Sequence, residues 1–198
     1  MTITASQGQN GAGGDVAAAR SDLSKVTDGV SNVNSIFSLG LGGFLSFDVD
    51  PLRLGSPIVV IEVTSGTPNP SFPEAANLFL GGSVVGTGLS DSNSFSGGTL
   101  IGNLSNDGDL TPFGVNGAVI TKTQNNLTTT FTINFANVGS GVFSRVTLVD
   151  TTTGTGTGVD GFDVGEFSVN AVPLPAPALL LLSGLAGIGF VSRRRRAA

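Results

Sequence analysis

Asp150, Asp160, Asp163 and Glu166 form the densest acidic grouping of the chain and flank a threonine–glycine run, Thr151 to Gly158. Asp160 and Asp163 lie within the sequence Asp160-Gly161-Phe162-Asp163, which offers carboxylates and loop carbonyls together. Calcium takes six to eight oxygens from flexible loops. These residue types therefore fit a structural calcium ion held by Asp150, Asp160, Asp163 and Glu166, although no EF-hand spacing is present. The competing reading is solvated turn acids around core rings of Phe162 and Phe167. Asn106-Asp107-Gly108-Asp109 is a second acidic turn that resembles half of a calcium loop, and its dipeptides are also ordinary turn formers. Glu62 is different, because it lies inside the apolar run Ile58 to Val63 and a buried carboxylate needs a partner. Arg53 and Arg145 are the candidate partners.

Catalytic readings fare poorly. The chain has no His and no Cys, which removes the commonest general base, thiol chemistry and the commonest zinc ligands. No serine occupies a Gly-x-Ser-x-Gly elbow, and no glycine cluster ends in the lysine of a phosphate loop. Paired carboxylates could hydrolyse glycosides, but nothing singles out a pair. The expectation is a protein that is not an enzyme and has no cofactor beyond that calcium ion.

Five basic residues against 14 acidic ones leave the chain ahead of its last 27 residues strongly acidic. That balance argues against nucleic acid as a partner. The C-terminal segment is built differently. Prolines 173, 175 and 177 force an extended stretch. Ala176 to Val191 then carries no charge, with Ser183 as its one polar side chain. A helix there spans about 24 Å, somewhat short of the hydrocarbon core, and snorkelling arginines can close the gap. Arg193, Arg194, Arg195 and Arg196 follow as a basic stop that stays on the cytoplasmic side.

Val172-Pro173-Leu174-Pro175-Ala176, the leucine-rich span and the arginine tail together resemble the VPLPA variant of the PEP-CTERM sorting signal. The resemblance implies an exported protein, held at the inner membrane by the C-terminal span and processed at the motif by an exosortase-like membrane protease. It implies a final location at the cell surface or in the extracellular matrix. Met1 to Val30 contains no apolar run longer than Val16 to Ala19, so the same reading expects an export signal upstream of Met1.

The elements that must position the acidic residues read as strands. Leu45, Phe47 and Val49 alternate with Phe44, Ser46 and Asp48, and Ile58 to Val63 is a β-branched run suited to a central strand. Leu78-Phe79-Leu80 and Ser83-Val84-Val85, separated by Gly81-Gly82, predict a tight hairpin. Thr99 to Leu104, Ala118 to Lys122, Val142 to Val149 and Val164 to Val169 supply further strands. Leu127, Thr129, Phe131, Ile133 and Phe135 predict one buried strand face.

About eight strands with Gly, Pro, Asn and Asp turns point to a mainly β chain: a jelly-roll-like antiparallel β-sandwich, followed by one C-terminal transmembrane helix. The expected organisation is a flexible segment over 1–34, a β-sandwich over 35–171 and the sorting signal over 172–198. Thr151 to Gly158 is expected as a mobile surface loop. Phe37 to Phe47, Ile58 to Val63, Val146 to Asp150 and Gly161 to Val164 together resemble lectin-like β-sandwiches found ahead of such signals. That likeness implies carbohydrate binding in exopolysaccharide as an alternative role. The absence of Trp and Tyr removes the usual sugar-stacking side chains.

Overall fold

A computed structural model describes residues 1–52, 57–64, 74–107, 112–125, 127–135, 143–156 and 158–169. In chain order its strands are β1 (Thr2–Ser6), β2 (Phe37–Ser38), β3 (Phe44–Leu52), β4 (Ile58–Val63), β5 (Ala75–Leu80), β6 (Ser83–Val85) and β7 (Gly88–Leu89). They continue as β8 (Ser94–Ser96), β9 (Thr99–Ser105), β10 (Phe113–Gly114), β11 (Val119–Gln124), β12 (Thr128–Asn134), β13 (Phe143–Asp150) and β14 (Asp163–Val169). The chain is mainly β.

Period-two alternation sets the architecture. Ile58 and Val60 of β4, Phe131 and Ile133 of β12, and Val164 and Phe167 of β14 point the same way. Leu45 and Phe47 of β3, Leu78 and Leu80 of β5, and Val146 and Leu148 of β13 face them, and all these side chains belong to one core. The sheets holding them run β11-β12-β4-β14-β2 and β10-β9-β5-β13-β3-β1-β7. Pairing is antiparallel except for β1 on β7. Phe47 of one sheet stacks on Phe167 of the other, with ring centroids 3.7 Å apart. Two sheets closed over one apolar interior make a β-sandwich arrangement. Each fully buried Leu or Phe in it contributes about 1.5–3 kcal/mol relative to exposure.

The predicted buried face of β12 is present from Thr129 to Phe135, while Leu127, just ahead of the strand, is exposed. Three expectations change. Gly81 and Gly82 do turn the chain, both with positive φ, but β5 pairs with β13 and β9 while β6 pairs with β8. The cause is Phe95 of β8, whose ring lies against Phe79 and Phe44 (5.5 and 6.1 Å between centroids). Phe44 and Ser46, on the non-core face of β3, are consequently buried, and the Ser46 hydroxyl bonds that of Thr147 at 2.8 Å.

Residues 1–34 are not a loose lead-in. β1 is hydrogen-bonded between β3 and β7. Short 3₁₀ turns follow at Ala18–Arg20 and Leu23–Thr27, the second capped by Asp22, and Val26 is fully buried in the core. The threonine–glycine run is anchored as well, since the Thr152 hydroxyl accepts the Ala75 N–H at 3.0 Å and Gly156 bridges to Gly11.

Candidate functional site

One end of the apolar interior gives way to a polar layer, and the alternation of the strands produces it. Two residues beyond Val60 the inward position of β4 is Glu62. Ahead of Ala76, the same step on the other sheet gives Glu74. Beyond Leu104 it gives Asn106, and ahead of Phe131 it gives Thr129. Lys122 and Gln124 continue the row that begins with Ile120 on β11. Five apolar rows therefore each end in a polar group at the same end of the core.

Asn106 ties the layer together across the sheets. Its Nδ2 donates to Glu62 Oε1 at 3.0 Å and to Glu74 Oε2 at 3.2 Å, while its Oδ1 accepts the Glu74 N–H at 3.0 Å. The Thr64 hydroxyl donates to the Glu62 carboxylate at 2.9–3.0 Å. Gln124 Nε2 donates to the Asn106 carbonyl at 2.6 Å, and Lys122 Nζ to the carbonyls of Ser105 and Asp107. No buried side-chain polar atom among the described residues lacks a partner.

A second half adjoins this one. Asp160 and Asp163 meet the guanidinium of Arg20, whose Nη1 lies 2.6 Å from Asp160 Oδ2 and 3.2 Å from Asp163 Oδ2. The Ser38 hydroxyl donates to Asp163 Oδ1. Gln7 Nε2 holds the Arg20 carbonyl at 3.1 Å and that of Ser38 at 2.7 Å, which fixes the arginine's backbone. Glu74, Asp160 and Asp163 each bring one carboxylate oxygen within 4.8 Å of the others, so the halves form a single cluster.

The electrostatics follow from burial and crowding. Burial pushes Asp163 up to about 7, helped by Asp160 and opposed by Arg20 and Ser38. Burial likewise raises Glu74 well above the usual carboxylate range, and the charges of Asp163 and Glu62 add to it. Glu62 is raised by burial, against hydrogen bonds from Glu74, Asn106, Thr64 and Thr129 that favour its ionised form. Burial opposes the charge on Arg20, but Asp163 and Asp160 outweigh it and raise its pKa.

Of the four acids expected to hold calcium, only Asp160 and Asp163 come together. Asp150 is a loop tie: its Oδ2 accepts the Gly42 N–H at 3.0 Å and its Oδ1 the Phe162 N–H at 2.9 Å. Glu166 receives the Ser31 hydroxyl at 3.4 Å. Asp107 is buried beside the polar layer, while Asp109 lies outside the described residues. Of the two arginines expected as partners of Glu62, Arg145 bonds Asp48 at 2.7 Å instead, and Arg53 lies outside the described residues. Glu74 and Arg20 carry no mark in the sequence beyond their charge.

As a calcium site the cluster fits badly. The guanidinium nitrogen of Arg20 already contacts two of the three close carboxylates and competes with a cation for their oxygens. Arg20 supplies a positive charge to the cluster, and burial favours the protonated forms of Glu74 and Asp163.

No family model, curated protein or solved structure matches this chain. The site's own geometry and the C-terminal segment therefore carry the functional reading. That segment, from Val172 through Ala176 to Arg193–Arg196, lies outside the described residues, and no described helix is long and apolar enough to cross a membrane.

Proposed function

We propose that this chain is an exported, non-enzymatic cell-surface or extracellular-matrix protein, sorted and processed at its C-terminus by an exosortase-like membrane protease. The observation that carries the reading is the fixed order of three parts after the last strand: the Val172–Ala176 motif, an uncharged span and four arginines. β14 ends at Val169 and is hydrogen-bonded to β4 and β2, so cleavage at or beyond Val172 leaves every described strand of the sandwich in place. In this reading the domain has jelly-roll-like connectivity, residues 176–191 form the transmembrane helix, and the protein passes through an inner-membrane intermediate. The acid cluster is structural, since its groups are engaged with one another and offer no nucleophile–base pair.

Substituting Pro173→Ala together with Pro175→Ala removes the forced extended stretch that a protease must bind. The expected outcome in the native host is full-length chain accumulating in the inner membrane, read by intact mass of the membrane fraction. Normal processing of the double variant contradicts the reading.

Carbohydrate binding in exopolysaccharide is the second reading. Its structural support is Phe113, a ring left half exposed on the edge strand β10, where a sugar face can stack.

A further inference from the structure

We propose that the polar end of the sandwich is a proton-operated clasp: one proton shared between Glu62 of β4 and Glu74 at the head of β5 holds the two sheets together, and its loss parts them there. Asn106 Nδ2 lies 3.0 Å from Glu62 Oε1 and 3.2 Å from Glu74 Oε2, which brings the two carboxyl groups together, and two carboxyl groups can hydrogen-bond to each other only with a proton between them. They belong to different sheets, so the bond is a cross-sheet tie, with Asn106 Nδ2 donating to both.

The surroundings decide which group carries the proton. Glu62 is fully buried and takes donors from Asn106 and Thr64, an environment that suits an anion. Glu74 faces the carboxylates of Asp160 and Asp163 as well as Glu62, an environment that suits a neutral acid. Glu74 is also half-buried, which gives its proton a route to solvent. The charged groups around the pair are Asp160 from the loop before β14, Asp163 of β14, Arg20 from the N-terminal segment, Lys122 of β11 and Asp107 after β9. Ser38, Thr64, Thr129, Asn106 and Gln124 complete the layer without charge. With the proton in place, Arg20 offsets one of the two charges of Asp160 and Asp163, and Lys122 lies near Glu62 and Asp107. Without it, an additional buried negative charge sits against Glu62 with no new cation.

The sign follows. Glu62, Glu74 and Asp163 all hold their protons more tightly folded than in an unfolded chain, where carboxylates titrate near about 4. Their contribution is fully present below that value and is lost as pH rises; the Asp163 share is gone once pH passes about 7. The domain is therefore most stable in mild acid and loosens towards alkaline pH.

The test is thermal unfolding of the full chain in detergent between about pH 5 and about pH 8, for the wild type, Glu74→Gln and Glu62→Gln. The wild-type midpoint is expected to fall by at least about 5 °C across that range. Glu74→Gln keeps a donor aimed at Glu62 without a titrating proton, so its profile is flatter and lies above the wild type at the alkaline end. Glu62→Gln turns an amide donor onto Asn106 and Thr64 and lowers the midpoint at every pH. Infrared spectra add a direct readout: a protonated-carboxyl band persists in the wild type at about pH 6.5, well above the unfolded range, and Glu74→Gln weakens it to the share of Asp163. Parallel profiles for wild type and Glu74→Gln, or a band that Glu74→Gln leaves unchanged, overturn the proposal.

Discussion

Replacing Arg20 by methionine is expected to destabilise the domain by about 2–4 kcal/mol. The substitution keeps much of the side chain's length and apolar stem and removes only the guanidinium. Asp163 is 2% exposed, and its Oδ2 then lacks its cation at 3.2 Å, as does Asp160 at 2.6 Å. Arg20 itself is 28% exposed, so solvent screens part of the interaction and places the figure below that for a fully buried pair. Protonating Asp163 relieves part of the loss, so the penalty grows with pH. Denaturant melts of wild type and Arg20→Met at mildly acidic and neutral pH measure both the size and the direction. A penalty below about 0.5 kcal/mol, in the range of an exposed ion pair, places no weight on this contact.

Gly40→Ala is expected to cost more than about 3 kcal/mol, enough to prevent folding of a marginal domain. Gly40 has a φ of 70°, in the left-handed region, and a Cβ built there lies 2.3 Å from the carbonyl oxygen of Gly8. Neither neighbour can yield easily. The Gly8 N–H donates to the Leu39 carbonyl at 2.8 Å, and the Gly40 N–H to the Asp160 carbonyl at the same distance. Three chain segments thus meet backbone to backbone at this point, and the loop bearing Asp160 is one of them. The expected readout is loss of the cooperative melt. Gly42→Ala is the control, since Gly42 also has positive φ but nothing lies within 4 Å of an added Cβ; it is expected to lose only about 1 kcal/mol. Equal effects at the two positions contradict the close-approach argument.

The strands were legible where alternation was clean. Thr129, Phe131, Ile133 and Phe135 line one buried face as their spacing predicts, and the β-branched run at Ile58 to Val63 is a central strand. The paired glycines at 81 and 82 announced a turn, but a turn does not name the partner of the next strand. Phe95 settles that by packing on Phe44 and Phe79. Residues 1–34 carry little apolar periodicity, so their order comes from tertiary contacts invisible in sequence: β1 in the sheet, Val26 in the core, Arg20 on two aspartates.

The site was half legible for a similar reason. Glu62 stood out as a carboxylate inside an apolar run, and its need for a partner was readable. That the partner is another carboxyl, Glu74, depends on two strands of different sheets ending at the same level. Sequence proximity grouped Asp150 and Glu166 with Asp160 and Asp163, yet Asp150 ends in the N–H groups of Gly42 and Phe162. Glu166 follows the irregularity in β14 between Val164 and Glu166 and bonds Ser31 instead.

The most direct test of the sorting account is the intact mass and cellular location of the protein expressed in its native host. The account expects the chain to end within or close to Val172–Pro177 and to be found outside the inner membrane, with the sandwich still cooperative on melting. An unprocessed C-terminus, with Arg193 to Arg196 present and the protein confined to the inner membrane, describes a plain tail anchor and contradicts it.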